Sequence, residues 1–107
     1  QTTIIEPGSA RTEFAGSGAK ISTAMPEYRD TPAGEVRRRM EPGFHGQPGD
    51  PAKMVAAMIA SVEQEPAPKR LALGSDAYAN IRKALTERLA ELDRQKEITC
   101  STDFPTS

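Results

Sequence analysis

Tryptophan is absent from this sequence, and only Phe14, Tyr28, Phe44, Tyr78 and Phe104 supply aromatic bulk. Apolar residues make up 36% of its 107 positions, and adding glycine only approaches the roughly 45–50% of an average globular chain. A chain of this length is one domain at most, and small domains bury a modest share of their surface. A weak core is therefore expected, unless something else covers the apolar faces. Cysteine is nearly absent too. With Cys100 alone no internal disulfide can form, which points to a reducing, cytoplasmic setting. No apolar run approaches the roughly 20 residues that span a bilayer. The opening residues are polar and lack the charged-then-apolar order of a signal peptide. Charge of one sign is not in excess either, with 14 basic against 15 acidic side chains. No basic stripe forms, which argues against a nucleic-acid partner. The one histidine, His45, has no Cys or His at ligand spacing, so a solvated loop residue is expected there and no metal site.

What is present reads as an α/β pattern. Thr2–Glu6 is a β-branched run stopped by Pro7-Gly8, a short strand. So apolar a run suits a strand covered on both faces, as in parallel sheets. It follows Gln1 at once, with neither an initiator Met nor a lead-in, so an upstream stretch of chain is expected. From Ser9 to about Gly34 the composition loosens, with Gly16, Gly18, Pro26 and Pro32, into a long loop holding at most one short helix. Ala33–Met40 reads as a short helix ended by Pro42-Gly43. Asp50 is a good N-cap with Pro51 at the first helical position. Behind them Met54, Val55, Met58, Ile59 and Val62 recur at helical spacing. Ala52, Ala56, Ala57 and Ala60 leave another side smooth, a candidate subunit contact in a homo-oligomer.

Leu71-Ala72-Leu73 is a second brief strand closed by Gly74, after which Ser75 is expected to cap a helix over about Asp76–Lys96. Ile81, Leu85, Leu89 and Leu92 form a narrow stripe on it, charges cover the rest, and a polar tail runs from Thr99 to Ser107. Two short strands joined by a helical crossover predict one parallel pair with a right-handed connection. Such a pair does not stand alone. The fold class expected is the carboxy-terminal part of a doubly wound, Rossmann-like parallel sheet, its last two strands plus helices, incomplete by itself.

Four segments, in order, carry a resemblance. Ile4-Ile5-Glu6-Pro7-Gly8-Ser9-Ala10-Arg11-Thr12 resembles the late cofactor motif of the short-chain dehydrogenases/reductases: a strand ending in Pro-Gly, with Thr four residues on. Pro48-Gly49-Asp50-Pro51-Ala52-Lys53 is similar to the family's loop into its penultimate large helix. Arg70-Leu71-Ala72-Leu73-Gly74-Ser75-Asp76-Ala77 is similar to its last strand and following turn, and Ser101-Thr102-Asp103-Phe104 to the tail of many members. The resemblance covers nearly the whole chain, with positions 16–46 the least familiar.

The resemblance implies NAD or NADP as cofactor and a small carbonyl or alcohol as substrate. It implies a cofactor-binding stretch of Pro7, Gly8, Ser9, Ala10 and Thr12, in which the Pro7-Gly8 turn passes under the nicotinamide ring and the Ala10 backbone and Thr12 hydroxyl bond its carboxamide. An amide carries donor and acceptor, and needs both kinds of partner to fix the ring face. Ala10 stands where members usually have a larger apolar residue, which leaves backbone contacts intact. Phe14, Met25, Met40 and Phe44 are candidates for a substrate wall, or for simple packing of a loop. The family's glycine-rich phosphate turn has no counterpart here, nor its catalytic Ser with Tyr-x-x-x-Lys. Tyr28 is followed four residues on by Pro32, and Tyr78 by Arg82, whose planar fork does not copy a lysine. No catalytic residue can be named, and these residues alone are expected to be inactive.

Simpler readings stand beside these. Pro7-Gly8 alone is an ordinary turn pair, Met54 and Met58 read as core, Arg37-Arg38-Arg39 as a solvated helix face, and Cys100 as inert. The expected organisation is a strand and cofactor turn over 1–12, a substrate-loop region over 13–47, and a final helix, strand, helix and tail over 48–107. The partner implied is the amino-terminal remainder of the same enzyme. The rival reading is a small, partly disordered helical interaction module without catalysis, presenting the Met54–Val62 face or the Ile81–Leu92 stripe.

Overall fold

The computed structural model describes residues 1–15 and 17–106; Gly16 and Ser107, which the expected loop and tail include, lie outside them. Strand β1 spans Ile4–Pro7 and strand β2 spans Arg70–Leu73. They pair in parallel, Ile4 opposite Arg70 and Pro7 opposite Leu73, as the two apolar runs predict. The strand starts later than Thr2 and includes Pro7. The Ile4 amide donates to Lys69 O at 3.0 Å and the Gly8 amide to Leu73 O at 2.7 Å. Amides alternate in direction along a strand, so residue 7 faces away from β2, where a proline loses no ladder bond. Below the pair, Gln1 and Thr3 tether to the chain entering β2: Thr3 Oγ1 donates to Pro68 O at 2.6 Å, and Gln1 Oε1 accepts from the Ala67 amide at 2.7 Å.

Between the strands lie two short 3-10 turns, Glu13–Ala15 and Pro26–Tyr28, then helix α1, Pro32–Arg39, and helix α2, Pro51–Val62. Thr31 caps α1 by accepting from Gly34 N, and Asp50 caps α2 by accepting from Ala52 N and Lys53 N. The arginine run is not simply a solvated face. Arg37 donates to Ser22 O, and Arg38 to Arg29 O at 2.6 Å, so both hold the preceding loop through its carbonyls. Arg39 pairs with Glu35 one turn back.

After β2 comes helix α3, Ser75–Arg94, then helix α4, Lys96–Cys100. Two expectations need correction here. The N-cap of α3 is Gly74, at φ 111°, with no side-chain cap. Ser75 is already helical, because glycine alone tolerates that turn at low cost. The expected single helix to Lys96 breaks at Gln95, and Thr99–Cys100 is helical rather than tail.

Among the described residues the buried apolar ones are Met54, Leu73 and Ala77, Ser61 is the one buried polar residue, and no side chain is fully sealed. Helix α2 turns Met54, Ala57, Met58 and Ser61 inward, an i, i+3, i+4, i+7 stripe. Val55, Ile59 and Val62, expected on the packed face, are 51–82% exposed. They belong to a second apolar side of the same helix. On α3 the narrow apolar stripe is exposed at Leu85, Leu89 and Leu92. The radius of gyration is 20.6 Å and the extents are 67 × 46 × 19 Å, against about 13 Å for a compact chain of similar length. This is a thin slab of an α/β fold, and it closes no core of its own. Among the described residues, no helix is long and apolar enough to cross a membrane.

Candidate functional site

Three segments meet where β1 and β2 end. Residues 8–11 leave β1, residues 47–50 lead into α2, and residues 73–77 turn from β2 into α3. The Gly49 amide donates to Ser9 O at 3.0 Å and the Arg11 amide to Gly49 O at 2.9 Å, which makes a parallel bridge between Ala10 and Gly49. Gly49 has to lack a side chain. A Cβ there would stand 2.4 Å from the Met54 methyl and 2.7 Å from Ser9 O. The Met54 methyl also lies under Gly74, so the most buried apolar side chains of the slab sit directly beneath this junction. Arg11 reinforces it from above, donating through Nη2 to His45 O at 3.0 Å and Gln47 O at 3.1 Å. The His45 side chain itself is exposed.

In a parallel bridge of this kind the two neighbours of Ala10 bond Gly49, while the N–H and C=O of Ala10 point the other way. Neither has a hydrogen-bond partner among the described residues. Among the described residues Thr12 Oγ1 accepts the Phe14 amide alone, at 3.3 Å, which leaves its proton to donate elsewhere. Ala10 and Thr12 line an open cleft of about 860 Å³. Ser9, Phe14, Met40 and Phe44 stand on its walls, joined by Glu35, Arg39 and Asp76. Pro7, Gly8 and Ser9 edge a second concavity of about 500 Å³ on the other side of the turn, with Asn80 and Ile81. Met25 does not join them. It lines a separate hollow with Tyr28, Arg29 and Arg37, because the 3-10 turn beginning at Pro26 carries it away.

Sequence reasoning gave Asp76 only a place near a helix end. The structure gives it a second partner: the Ser9 amide donates to Asp76 Oδ2 at 2.7 Å, and the Ala77 amide to Oδ1 at 3.0 Å. The Ser9 amide, with the Ala77 amide assisting, holds the Asp76 carboxyl below the ordinary carboxylate range, against a smaller opposing effect of desolvation. The signal in the sequence was weak, since Ser-Asp after a glycine reads first as a cap. Among the described residues no cluster of three or more His, Cys, Asp or Glu is placed to hold a metal ion.

Comparison with known proteins places this arrangement. The fold superposes on a short-chain dehydrogenase from Streptomyces avermitilis with a TM-score of 0.68, at 37% identity, over 94% of this chain. The chain corresponds to the carboxy-terminal portion of a short-chain dehydrogenase/reductase. It spans about a third of the proteins it matches, 36% of the Streptomyces chain and 35% of a curated relative, oxidoreductase BOA17 of Botryotinia fuckeliana. That relative is 26% identical over 97 residues, 91% of this chain. No family model matches. The two paired strands match the carboxy-terminal stretch of that dehydrogenase, and the junction lies at the carboxyl ends of both, the side on which open α/β sheets bind ligands.

Proposed function

We propose that this segment closes the nicotinamide end of an NAD(P)-dependent oxidoreductase that moves a hydride between cofactor and a small carbonyl or alcohol. One observation carries the reading: the free backbone pair of Ala10 and the Thr12 hydroxyl face one cleft together with Phe14, Met40 and Phe44. A carboxamide needs an acceptor for its NH2 and a donor for its C=O, and Ala10 O, Ala10 N–H and Thr12 Oγ1 supply both kinds. The residues present therefore fit the group, with Pro7, Gly8 and Ser9 forming the turn beneath the ring. The cofactor, when bound, supplies the hydride chemistry. The protein's part is to fix the ring face and the distance to the substrate carbon, a positioning effect.

The loop over residues 13–47 acts as the substrate lid. Its inner surface is the apolar trio Phe14, Met40 and Phe44, and its one cation on the cleft, Arg39, is already paired with Glu35. The amino-terminal remainder of the enzyme supplies the phosphate cradle and the general acid. The paired strands, and the superposition on a dehydrogenase, support this reading over a free-standing helical module.

The test uses the complete native polypeptide that carries these residues. Thr12→Val, which keeps the shape and removes the donor, is expected to raise the KM for NAD(P)H about tenfold, in line with a lost hydrogen bond to a ligand. A native polypeptide lacking hydride transfer with both NADH and NADPH over a panel of carbonyl substrates would overturn the proposal. The 107-residue chain alone is expected to oxidise neither.

A further inference from the structure

We infer that Asp76 is a positioning residue for the nicotinamide turn: its carboxylate, by holding the Ser9 amide, sets where the Ala10 backbone and Thr12 hydroxyl stand. This rests on the cofactor reading above and adds a residue to it, in the first turn of α3 rather than in the turn itself.

The geometry is specific. Residues 8–11 carry no regular structure of their own, and among the described residues their backbone is tied at three points. The Gly8 amide bonds Leu73 O at 2.7 Å, on β2. Ser9 O and the Arg11 amide bond Gly49, ahead of α2. The remaining tie is the Ser9 amide on Asp76 Oδ2, also at 2.7 Å. The first two are backbone bonds that almost any sequence would make, while the third depends on one side chain.

The fit is close around it. A Cβ on Gly8 would fall 1.9 Å from Asp76 Oδ1, and one on Gly74 would fall 2.8 Å from the same atom. Two glycines thus clear the space that the carboxylate occupies. Asp76 lines both concavities, one on each side of the turn, so the carboxylate forms the wall between them. Without it the Ser9 amide would swing toward either side, and Ala10, its neighbour, would turn with it. A shift of about 1 Å in such a contact is enough to cost a large factor in rate.

A helix-end role alone predicts something different. Asp76 lies in the first turn of α3, where any carboxylate is favourable. Asp76→Glu keeps the charge there but moves the oxygens by one methylene. Asp76→Asn gives up the charge but keeps an oxygen at the same reach. The decisive measurement is steady-state kinetics of the complete enzyme for wild type, Asp76→Asn, Asp76→Glu and Asp76→Ala, with thermal melting of each. The expected result is a KM for NAD(P)H within about threefold of wild type for Asp76→Asn, and raised tenfold or more for Asp76→Glu and Asp76→Ala. The KM for the carbonyl substrate should change less than that for the cofactor. If Asp76→Glu behaves as wild type while Asp76→Asn is impaired, the residue serves the helix end and the assignment is overturned. Wild-type kinetics in all three variants would overturn it as well. If the wild-type enzyme itself shows no nicotinamide-dependent turnover, the cofactor reading falls first, and this assignment with it.

Discussion

Asp50 and Asp76 show how similar residues at similar places come to do different things. Each stands at the start of a helix that follows a glycine. Asp50 folds back on its own helix, accepting Ala52 N at 2.9 Å and Lys53 N at 3.3 Å. Replacing it with Ala is expected to cost about 1 kcal/mol of stability, as loss of an N-cap generally does, measured by urea denaturation. Asp76 reaches across to Ser9 instead. Its carboxyl is held below the ordinary range chiefly by that amide. The folded value is therefore the lower one, and the sign follows. The contribution of this contact is fully present above about pH 4, the unfolded range, and is lost as pH falls through the folded value. Carboxyl carbon chemical shifts followed by NMR should show the Asp76 titration move upward when Ser9 N–H is removed by Ser9→Pro, because that amide is the largest cause of the lowering. The Asp50 cap was legible in the sequence, because Asp-Pro before an apolar period is a local signal. The Asp76 contact was not, because its partner lies 67 positions away and only the strand pairing brings the two together.

At the scale of elements, the strands and α2 were legible for the same reason as the cap. Thr2–Glu6 and Leu71–Leu73 are β-branched or apolar runs with glycine or proline after them, and the pairing follows from their order. The inward face of α2 was not legible. Met54, Val55, Met58, Ile59 and Val62 all sit at plausible helical spacing, and hydropathy alone does not say which side meets the glycine-lined junction. Packing decides it: the Met54 methyl fills the gap against Gly49 and Gly74. Substitutions on the two faces should therefore differ. Met54→Ala is expected to destabilise the segment by about 2 kcal/mol or more, as deletions at buried sites do. Val62→Ala, at a position 82% exposed, should stay within about 0.5 kcal/mol. Equal effects in urea titrations would contradict the packing. The break of α3 at Gln95 also escaped the sequence, since Gln95 and its neighbours are good helix formers; the structure offers no packing reason for it.

For the whole molecule, the sequence conveyed the open, thinly packed shape well, through scant aromatics and two short strands. The structure gives that a dimension: a slab 19 Å thick, with Val55, Ile59, Leu85 and Leu89 facing outward. In small-angle scattering the chain alone should keep a radius of gyration near 20.6 Å and bind a hydrophobic dye. Collapse toward the roughly 13 Å of a compact chain would show that it refolds into something else. Joined to the rest of its sheet, it should lose the dye signal. The placement of Met54 beneath Gly49 and Gly74 has one more consequence. The keystone of this slab packs against Gly49 and Gly74, which stand one or two residues from the cleft-lining Pro48 and Asp76, so whatever occupies the cleft also braces the masonry. A ligand there should slow amide exchange in residues 49–54 and 73–77 before it is felt anywhere else, since binding to the folded form alone adds to its stability.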